Sequence, residues 1–593
     1  MRFRIKNILL IWLFLTISIS CNNSLDILPL DILTTDQVFE SKSTITAYLA
    51  TLYNNLPVQD FRYRGWGADL ANYTDESLAS SATETTAIPN GTEFGIWPYQ
   101  WIRAINDLIE KTPTAKLSDK EKGELIGEAK FLRAFYYFGL VKLHGGVPII
   151  KVVQKFTGDN IKDLQVPRNT EKEVYDFIAA DLDEAALALP ENSVTGRANK
   201  YSALALKSRA MLYAASIAKS GSVMLNGTLG FPAADAALYW QKAYDASKLI
   251  IDSKKYALYA KNTNKELNFT ELFIDQNNPE AIFSIQFKYP DKGHVFDRSN
   301  LPFSVRAPSG YGAGIGPYLD LVEQFEYVDG SEGKLKINNA DGSPVYYKRA
   351  TDIFLNKDPR CLATVIAPFS TFRGNIIDVQ AGIYDLGVKW EAGDEKSFFN
   401  PETHKPDKEK GTIRIVGVNG FGSGATEKSQ TGFYIRKYLN YTMEQSRANV
   451  SDQAWLEFRY AEILLNYAEA AKELNKTSDA NWAINLIRNR AGIKLLSEAE
   501  TTLEKVRHER LVELAFENHR WFDYRRWRIA DKVLSNSKFS ALKPYWDIQE
   551  NAYRFEKVLA GRYFKTFDVR AYYERIDPAE ISRNPKLVQN PGY

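Results

Sequence analysis

The chain has 593 residues, 45% of them hydrophobic and 25% charged, enough apolar material for more than one lobe of ordinary domain size. Lys plus Arg number 75 against 73 for Asp plus Glu, a formal charge of +2, so the basic excess that marks a nucleic-acid partner is absent. Aromatic residues reach 13%, with 33 Tyr, 32 Phe and 11 Trp, an allotment that serves either cores or binding surfaces.

The chain opens with Arg2, Arg4 and Lys6, runs apolar from Ile8 to Ile19, and reaches Ser20-Cys21. That order of charge, hydrophobe and small residue is the order of a secretory signal, here residues 1–20. The apolar run is too short to span a bilayer as a helix, which needs roughly 20 residues. Cys21 stands where lipid-directed processing requires a cysteine, although Ser18 occupies a position where Leu is usual. The expectation is therefore an acylated Cys21 and a body outside the bilayer. Cys361 is the only other cysteine, so acylation of Cys21 leaves no intramolecular disulfide.

From Pro98 to Ser253 and again from Gln453 to Arg528, apolar residues recur three and four apart and the runs end at Gly, Pro or Asn, as helices do. The spacing predicts helices over Trp101–Lys111, Glu124–Leu143, Glu173–Leu189, Lys200–Ala218 and Asp235–Ile251. A C-terminal set is expected over Ala454–Leu474, Ala480–Arg490 and Leu503–Phe516. Small residues such as Ala203, Ala210, Ala461 and Ala468 recur where neighbouring helices would touch, which points to antiparallel pairs and tetratricopeptide-like units. Between Ala257 and Val450 the pattern changes to short β-favouring runs, Ala281–Phe287 and Thr431–Tyr438, among stretches rich in Gly, Asn, Asp and Pro. The fold class is thus mainly α, helical repeats with a large irregular loop and short-strand region inserted. The division is residues 21–256 for the N-terminal helical region and 257–593 for the ligand-side loops and final helices.

The five histidines are scattered, with no His-Glu-x-x-His pair and no Cys/His spacing for zinc, and neither a nucleophile elbow nor a phosphate-binding loop occurs. No metal, cofactor or catalytic residue is expected. Glu509, Glu513 and Glu517 stand four apart near Arg507, Arg510 and Arg520. An ion-paired network tying helices together explains them better than a glycosidase carboxylate pair.

The segment from Glu509 through His519-Arg-Trp-Phe-Asp-Tyr-Arg-Arg-Trp527 closely resembles the C-terminal signature of the SusD/RagB family of nutrient-binding outer-membrane lipoproteins. Further resemblances follow in order: Cys21 with Leu25-Asp26 and Pro29, Thr74-Asp75-Glu76, and Glu128 to Tyr137 with Gly145-Gly146-Val147-Pro148. Then come Gly196-Arg197-Ala198, Asp358-Pro359-Arg360, Arg459 to Glu462, Ile487 to Gly492, and the ending Gln589-Asn590-Pro591-Gly592-Tyr593. The resemblance implies about four tetratricopeptide-like helix pairs on a protein held by lipid at the extracellular face of an outer membrane. It implies a SusC-like TonB-dependent barrel as partner, capture of an oligosaccharide or in some members a peptide, and no enzyme activity.

Most of these motif residues read as scaffold, because the Phe131–Tyr137 stripe and Trp521-Phe522 lie at helical spacing where core packing is the commoner role. A ligand site is sought instead where aromatics fall outside helical patterns beside polar residues. Two stretches qualify: Phe61 to Asp69, with Tyr63, Trp66 and Asp69, and Tyr289 to Tyr311, with Arg306. A sugar ring offers an apolar C–H face and a hydroxyl rim, which an aromatic plane flanked by charged side chains can match.

Overall fold

A computed structural model of the chain describes residues 38–62, 70–79, 94–307, 311–391, 397–421, 427–442, 450–561 and 564–593. The signal segment, Cys21, and the trio Tyr63, Trp66 and Asp69 lie outside the described residues.

The frame is helical: α1 (Lys42–Asn54), α2 (Tyr99–Lys111), α3 (Asp119–His144), α4 (Glu171–Ala188), α5 (Lys200–Ser220), α6 (Ala236–Ser253), α7 (Lys265–Glu271), α8 (Tyr460–Glu473), α9 (Thr477–Ala491), α10 (Leu503–Leu514) and α11 (Arg520–Arg526). Local sequence starts and stops them. Ser118 and Glu121, Thr170 and Glu173, and Asn199 and Ser202 form capping boxes at the heads of α3, α4 and α5. Helix α3 therefore begins five residues before the expected Glu124. At its foot Gly145 adopts φ +75°, and a Cβ on Gly146 would stand 2.0 Å from the Asn169 carbonyl oxygen, so only glycine fits there.

The helices stack in sequence, α2 on α3, α3 on α4, α4 on α5 and α5 on α6, and then α6 packs directly on α8, with α9 and α10 following on α8. The inserted region between α6 and α8 thus leaves the stack and returns to it without interrupting the frame. One hydrophobic core runs through both halves, and the Phe131, Phe135, Tyr136, Tyr137, Trp521 and Phe522 side chains lie inside it as their spacing suggests. Such helical hairpins in series are the tetratricopeptide-like repeats read from the sequence.

The insert departs from the helical theme. Strand β1 (Ala281–Ile285) pairs antiparallel with β4 (Trp455–Arg459). This corrects the helix expected from Ala454: residues Trp455 to Arg459 are extended, and α8 starts only at Tyr460, because four of those five side chains are buried on a strand paired with β1. Likewise α10 ends at Leu514, since Phe516 takes a left-handed φ of 62°, and the Thr431–Tyr438 run supplies only the two-residue strand Tyr434–Ile435. A four-stranded sheet has the order β6 (Ala552–Leu559), β5 (Ser540–Asp547), β2 (Gly382–Asp385), β3 (Val388–Trp390), with β5 parallel to β2. The periodicity did not announce the β5–β6 hairpin. Among the described residues no helix is long and apolar enough to cross a membrane.

Candidate functional site

The two aromatic stretches singled out from sequence meet in space. Phe61, at the described edge of the first, is buried in a ring of aromatics from the second and its neighbours. Its ring stacks on His294 at 4.2 Å and lies 4.8 Å from Phe296, 5.1 Å from Tyr438, 5.3 Å from Trp455 and 5.9 Å from Phe287. Five aromatic partners fix the point at which the chain enters residues 63–69. Arg62 follows, clamped by the Asp60 carboxylate at 2.6–3.0 Å and by the Asn54 carbonyl at 3.1 Å, with its guanidinium 5.8 Å from the Phe287 ring centre.

Where the chain is next described, at Leu70, it lies against the other end of the second stretch. Asn72 Nδ2 donates to the Gly314 carbonyl at 3.0 Å, and Ser77 Oγ donates to Asn72 Oδ1 at 2.7 Å. The described residues on either side of this gap thus meet the second stretch near its two ends, Phe61 at Phe287–His294 and Asn72 at Gly314. A buried hub supports this junction: Asp297 accepts from Ser451 Oγ (2.7 Å), Gln453 Nε2 (2.8 Å) and the Asn440 amide (2.8 Å), and faces Arg373 at 3.4 Å. Burial pushes the Asp297 carboxyl up, and these donors partly offset the effect.

On the outer surface Tyr289 is 54% exposed at a tight turn closed by the Lys288–Lys292 backbone pair, and Tyr311 is 45% exposed beside the Arg298 guanidinium, 5.0 Å from its ring centre. Lys292 stands over Phe287 at 5.3 Å, and burial together with nearby Arg62 lowers its ammonium below the usual lysine range while Asp60 raises it. Arg306 pairs with Glu427 at 2.6 Å and lies 4.3 Å from the Phe303 ring centre. The assembled surface carries separated aromatic faces and fixed cations. Sequence reading did not select Arg62, Lys292 and Arg298, although each stands within the two stretches. The signal for them is their seat beside a ring, which periodicity does not report.

His294 has a second consequence: burial lowers its pKa to about 4, so it stacks on Phe61 as a neutral ring at neutral pH. The three glutamates that the sequence sets four apart are engaged in ion pairs. Glu513 sits among Arg360 (2.9 Å), Arg459 (2.8 Å) and Arg490, and Glu517 accepts from Arg459 at 2.6 and 2.7 Å and from Lys437 at 2.9 Å. Burial alone would raise the Glu513 carboxyl, but Arg490, Arg459 and Arg360 hold it well below the usual range. Glu509 pairs with Arg360 at 2.6 Å and Arg488 at 2.9 Å. The ion network expected at these glutamates is present, though its partners come from Arg360, Arg459, Arg488 and Arg490, and not from Arg507, Arg510 or Arg520. Glu517 also lies beyond the end of α10. No group of three His, Cys, Asp or Glu fit to hold a metal occurs among the described residues.

The recurring motifs pair with one another as scaffold. Asp75 meets Arg520 at 2.9 Å, the Phe516 amide donates to Glu76 at 3.0 Å, Arg197 donates to Glu128 at 3.0 Å, and Arg168 ties the helix end at His144 to Val588 and Asn590. Residues far apart in sequence are thereby bound into one frame, so their joint presence identifies a fold. Residues 279–593 match the SusD family, and residues 25–212 match a family described as starch-binding associating with outer membrane. The chain belongs to the SusD family. It is 25% identical over 560 residues to SusD-like protein P38 of Formosa agariphila, covering 90% of this chain and 93% of that one. A SusD-like protein of Bacteroides ovatus is 23% identical over 483 residues, 78% of this chain and 70% of that one. In structure it is similar to a SusD-like protein from Bacteroides fragilis, with 24% identity, a TM-score of 0.72, and 95% of this chain and 100% of that chain covered. A SusD-like carbohydrate binding protein from the same species superposes with a TM-score of 0.66 at 22% identity, over 93% and 99% of the two chains. These likenesses bear on the SusD fold; the ligand surface is a separate matter.

Proposed function

We propose that this SusD-family chain is a cell-surface binding lipoprotein that captures an oligosaccharide and delivers it to a SusC-like TonB-dependent barrel in the outer membrane. Lipid on Cys21 holds it at the extracellular face, and it performs no chemistry on its ligand. The observation that carries the reading is the junction of the two aromatic stretches: Phe61, two residues before Tyr63 in the chain, is buried against Phe287 and His294, while Tyr289 and Tyr311 stand exposed on the second stretch. Rigidly based aromatic planes beside Arg62, Lys292 and Arg298 suit the C–H faces and hydroxyls of a sugar. Arg306, paired with Glu427 and set beside the Phe303 ring, adds a further fixed cation to this surface. The relatives support the ligand class: one structural neighbour is named a carbohydrate binding protein and another, from Bacteroides fluxus, a surface glycan-binding protein.

Titration of the purified protein with a panel of oligosaccharides tests the proposal. At least one glycan binds, and no new reducing ends appear on prolonged incubation. Binding of peptides with every glycan silent would replace the ligand class, and release of reducing ends would replace the binding-only role with hydrolysis.

A further inference from the structure

The signature segment between α10 and α11 makes contacts that a purely internal scaffold would not need. Its backbone turns left-handed twice, at Phe516 (φ 62°) and Asn518 (φ 61°). A phenylalanine in that region is strained, and such strain is kept where the surroundings require one geometry. Where successive residues point shows what that geometry is. The Phe516 amide donates to Glu76 Oε1 at 3.0 Å, Asn518 Nδ2 donates to the Gln59 carbonyl at 2.6 Å, and Arg520 donates to both Asp75 carboxylate oxygens at 2.9 and 3.0 Å. Glu517, in their midst, enters the buried ion network and accepts from Arg459 and Lys437.

Gln59 precedes the first aromatic stretch and Asp75-Glu76 follow it, so residues 516–520 gather both flanks of that stretch and bolt them to the buried frame. Gln59 is held a second time: Lys142, near the end of α3, donates to Gln59 Oε1 at 2.9 Å. Two residues on, Phe61 enters its cluster of rings, and Arg62 meets its clamp on Asp60. A cavity of about 30 Å³ is lined by Gln59, Lys142, Asn518 and His519 among others. It is far smaller than the roughly 300–1,000 Å³ of a small-molecule site, so the cluster acts on its neighbours without holding a ligand of its own.

Lys142 is the member of this cluster that titrates near neutrality. Burial lowers its pKa to about 7, Glu457 on β4 raises it, and Arg209 on α5 and Arg525 on α11 lower it further. Its ammonium also stands 4.1 Å from the Phe522 ring centre. His519, on the same cavity, is held well below the usual histidine range by burial and by Arg209, Arg510 and Arg459, and stays neutral. Glu517 is already shared between Arg459 and Lys437. Below pH 7 the bond from Lys142 to Gln59 is therefore charge-assisted, and above it a neutral amine makes a weaker one.

We propose that residues 516–520 and Lys142 are the positioning element of the ligand surface, setting where Arg62 and the root of the first aromatic stretch stand, and that Lys142 makes this hold sensitive to pH. Asn518 and Lys142 are its positioning residues, both acting through Gln59. The inference rests on the first stretch belonging to the ligand surface.

The test follows amide hydrogen exchange at residues 59–62 by mass spectrometry in the full mature protein, with rates corrected for the pH dependence of chemical exchange. Residues 463–465, inside α8, report an intact fold. Between pH 6 and 8 the protection of residues 59–62 falls at least threefold with a midpoint near 7, while α8 is unchanged. Lys142→Met shows the faster exchange at both pH values, and Lys142→Arg, charged throughout, keeps the slower. Asn518→Gly retains the left-handed backbone without the carboxamide and speeds exchange at residues 59–62 at least threefold at pH 6. Asn475→Gly, at another left-handed position (φ 60°), leaves them unchanged. A flat wild-type profile, a step that survives in Lys142→Met, or wild-type exchange in Asn518→Gly overturns the proposal. No glycan enters the measurement, so its failure leaves the oligosaccharide reading standing.

Discussion

Two regions of the molecule are rich in arginine, and they use it in opposite ways. Behind the C-terminal helices Arg360, Arg459, Arg488 and Arg490 are buried among Glu280, Glu326, Glu509, Glu513 and Glu517, each guanidinium matched to carboxylates at close range. At the proposed ligand side Arg62, Arg298 and Arg306 each lie beside an aromatic ring, and Arg62 and Arg306 also pair with Asp60 and Glu427. A buried pair taken apart leaves a charge that water cannot reach, whereas a surface arginine can exchange one partner for another. The first region therefore fixes which parts of the chain meet. The second sets its cations beside rings.

The largest effect belongs to the buried network. Arg459 serves Glu280, Glu513 and Glu517 at 2.6–2.8 Å, so Arg459→Met takes one partner from each of three buried carboxylates and lowers stability by about 3–5 kcal/mol in chemical denaturation. Unchanged stability would mean that the network is solvated and that the contrast between the regions is false.

Acid weakens both regions, in different windows. Glu469, paired with Arg526 at 2.6 Å, has its carboxyl held at about 2 against an ordinary 4.5: burial raises it, and Arg526 and its neighbours more than offset that. A depressed carboxyl contributes stability above pH 4.5 that is lost as pH falls towards 2, here about 3 kcal/mol. His294 and His144 are depressed by burial from 6.5 to about 4, so the unfolded chain takes up their protons first and stability falls earlier, between pH 6.5 and 4. Melting temperature against pH should decline in these two steps, and His294→Asn should flatten the first. A single step below pH 4 would show that the His294–Phe61 stack does not depend on a neutral ring.

The contrast also explains what the sequence discloses. Helices α3, α5 and α8 are legible because Ala, Leu and Tyr recur with the helical period, and α3 and α5 also because their caps are local. Strand β5 was not legible: Pro544 interrupts its pattern, and its parallel partner β2 lies far away in the chain, so no local signal marks it. The two ligand-side stretches stood out through aromatics set among Gly and Arg. Their union was invisible, since it depends on Phe61 reaching His294 and on Asn72 reaching Gly314. Arg306 shows the same limit in reverse: sequence presents a free donor, and folding delivers Glu427 to it.

Smaller effects sharpen the ligand side. Trp66→Ala should leave denaturation unchanged and weaken oligosaccharide affinity about tenfold, or about 1.4 kcal/mol, by calorimetry. Equal affinity would remove Trp66 from the site. Tyr311→Ala should cost less, about threefold or about 0.7 kcal/mol, because its ring is half exposed and already has Arg298 as a neighbour. Comparing Tyr311→Phe with Tyr311→Ala separates the two ways a tyrosine can serve. If the ring is a platform for a sugar face, the phenylalanine keeps the wild-type affinity; if the hydroxyl is the contact, both variants lose it equally. Loss in neither variant would place the ligand nearer Tyr289, where Lys292 and Arg62 supply the charge.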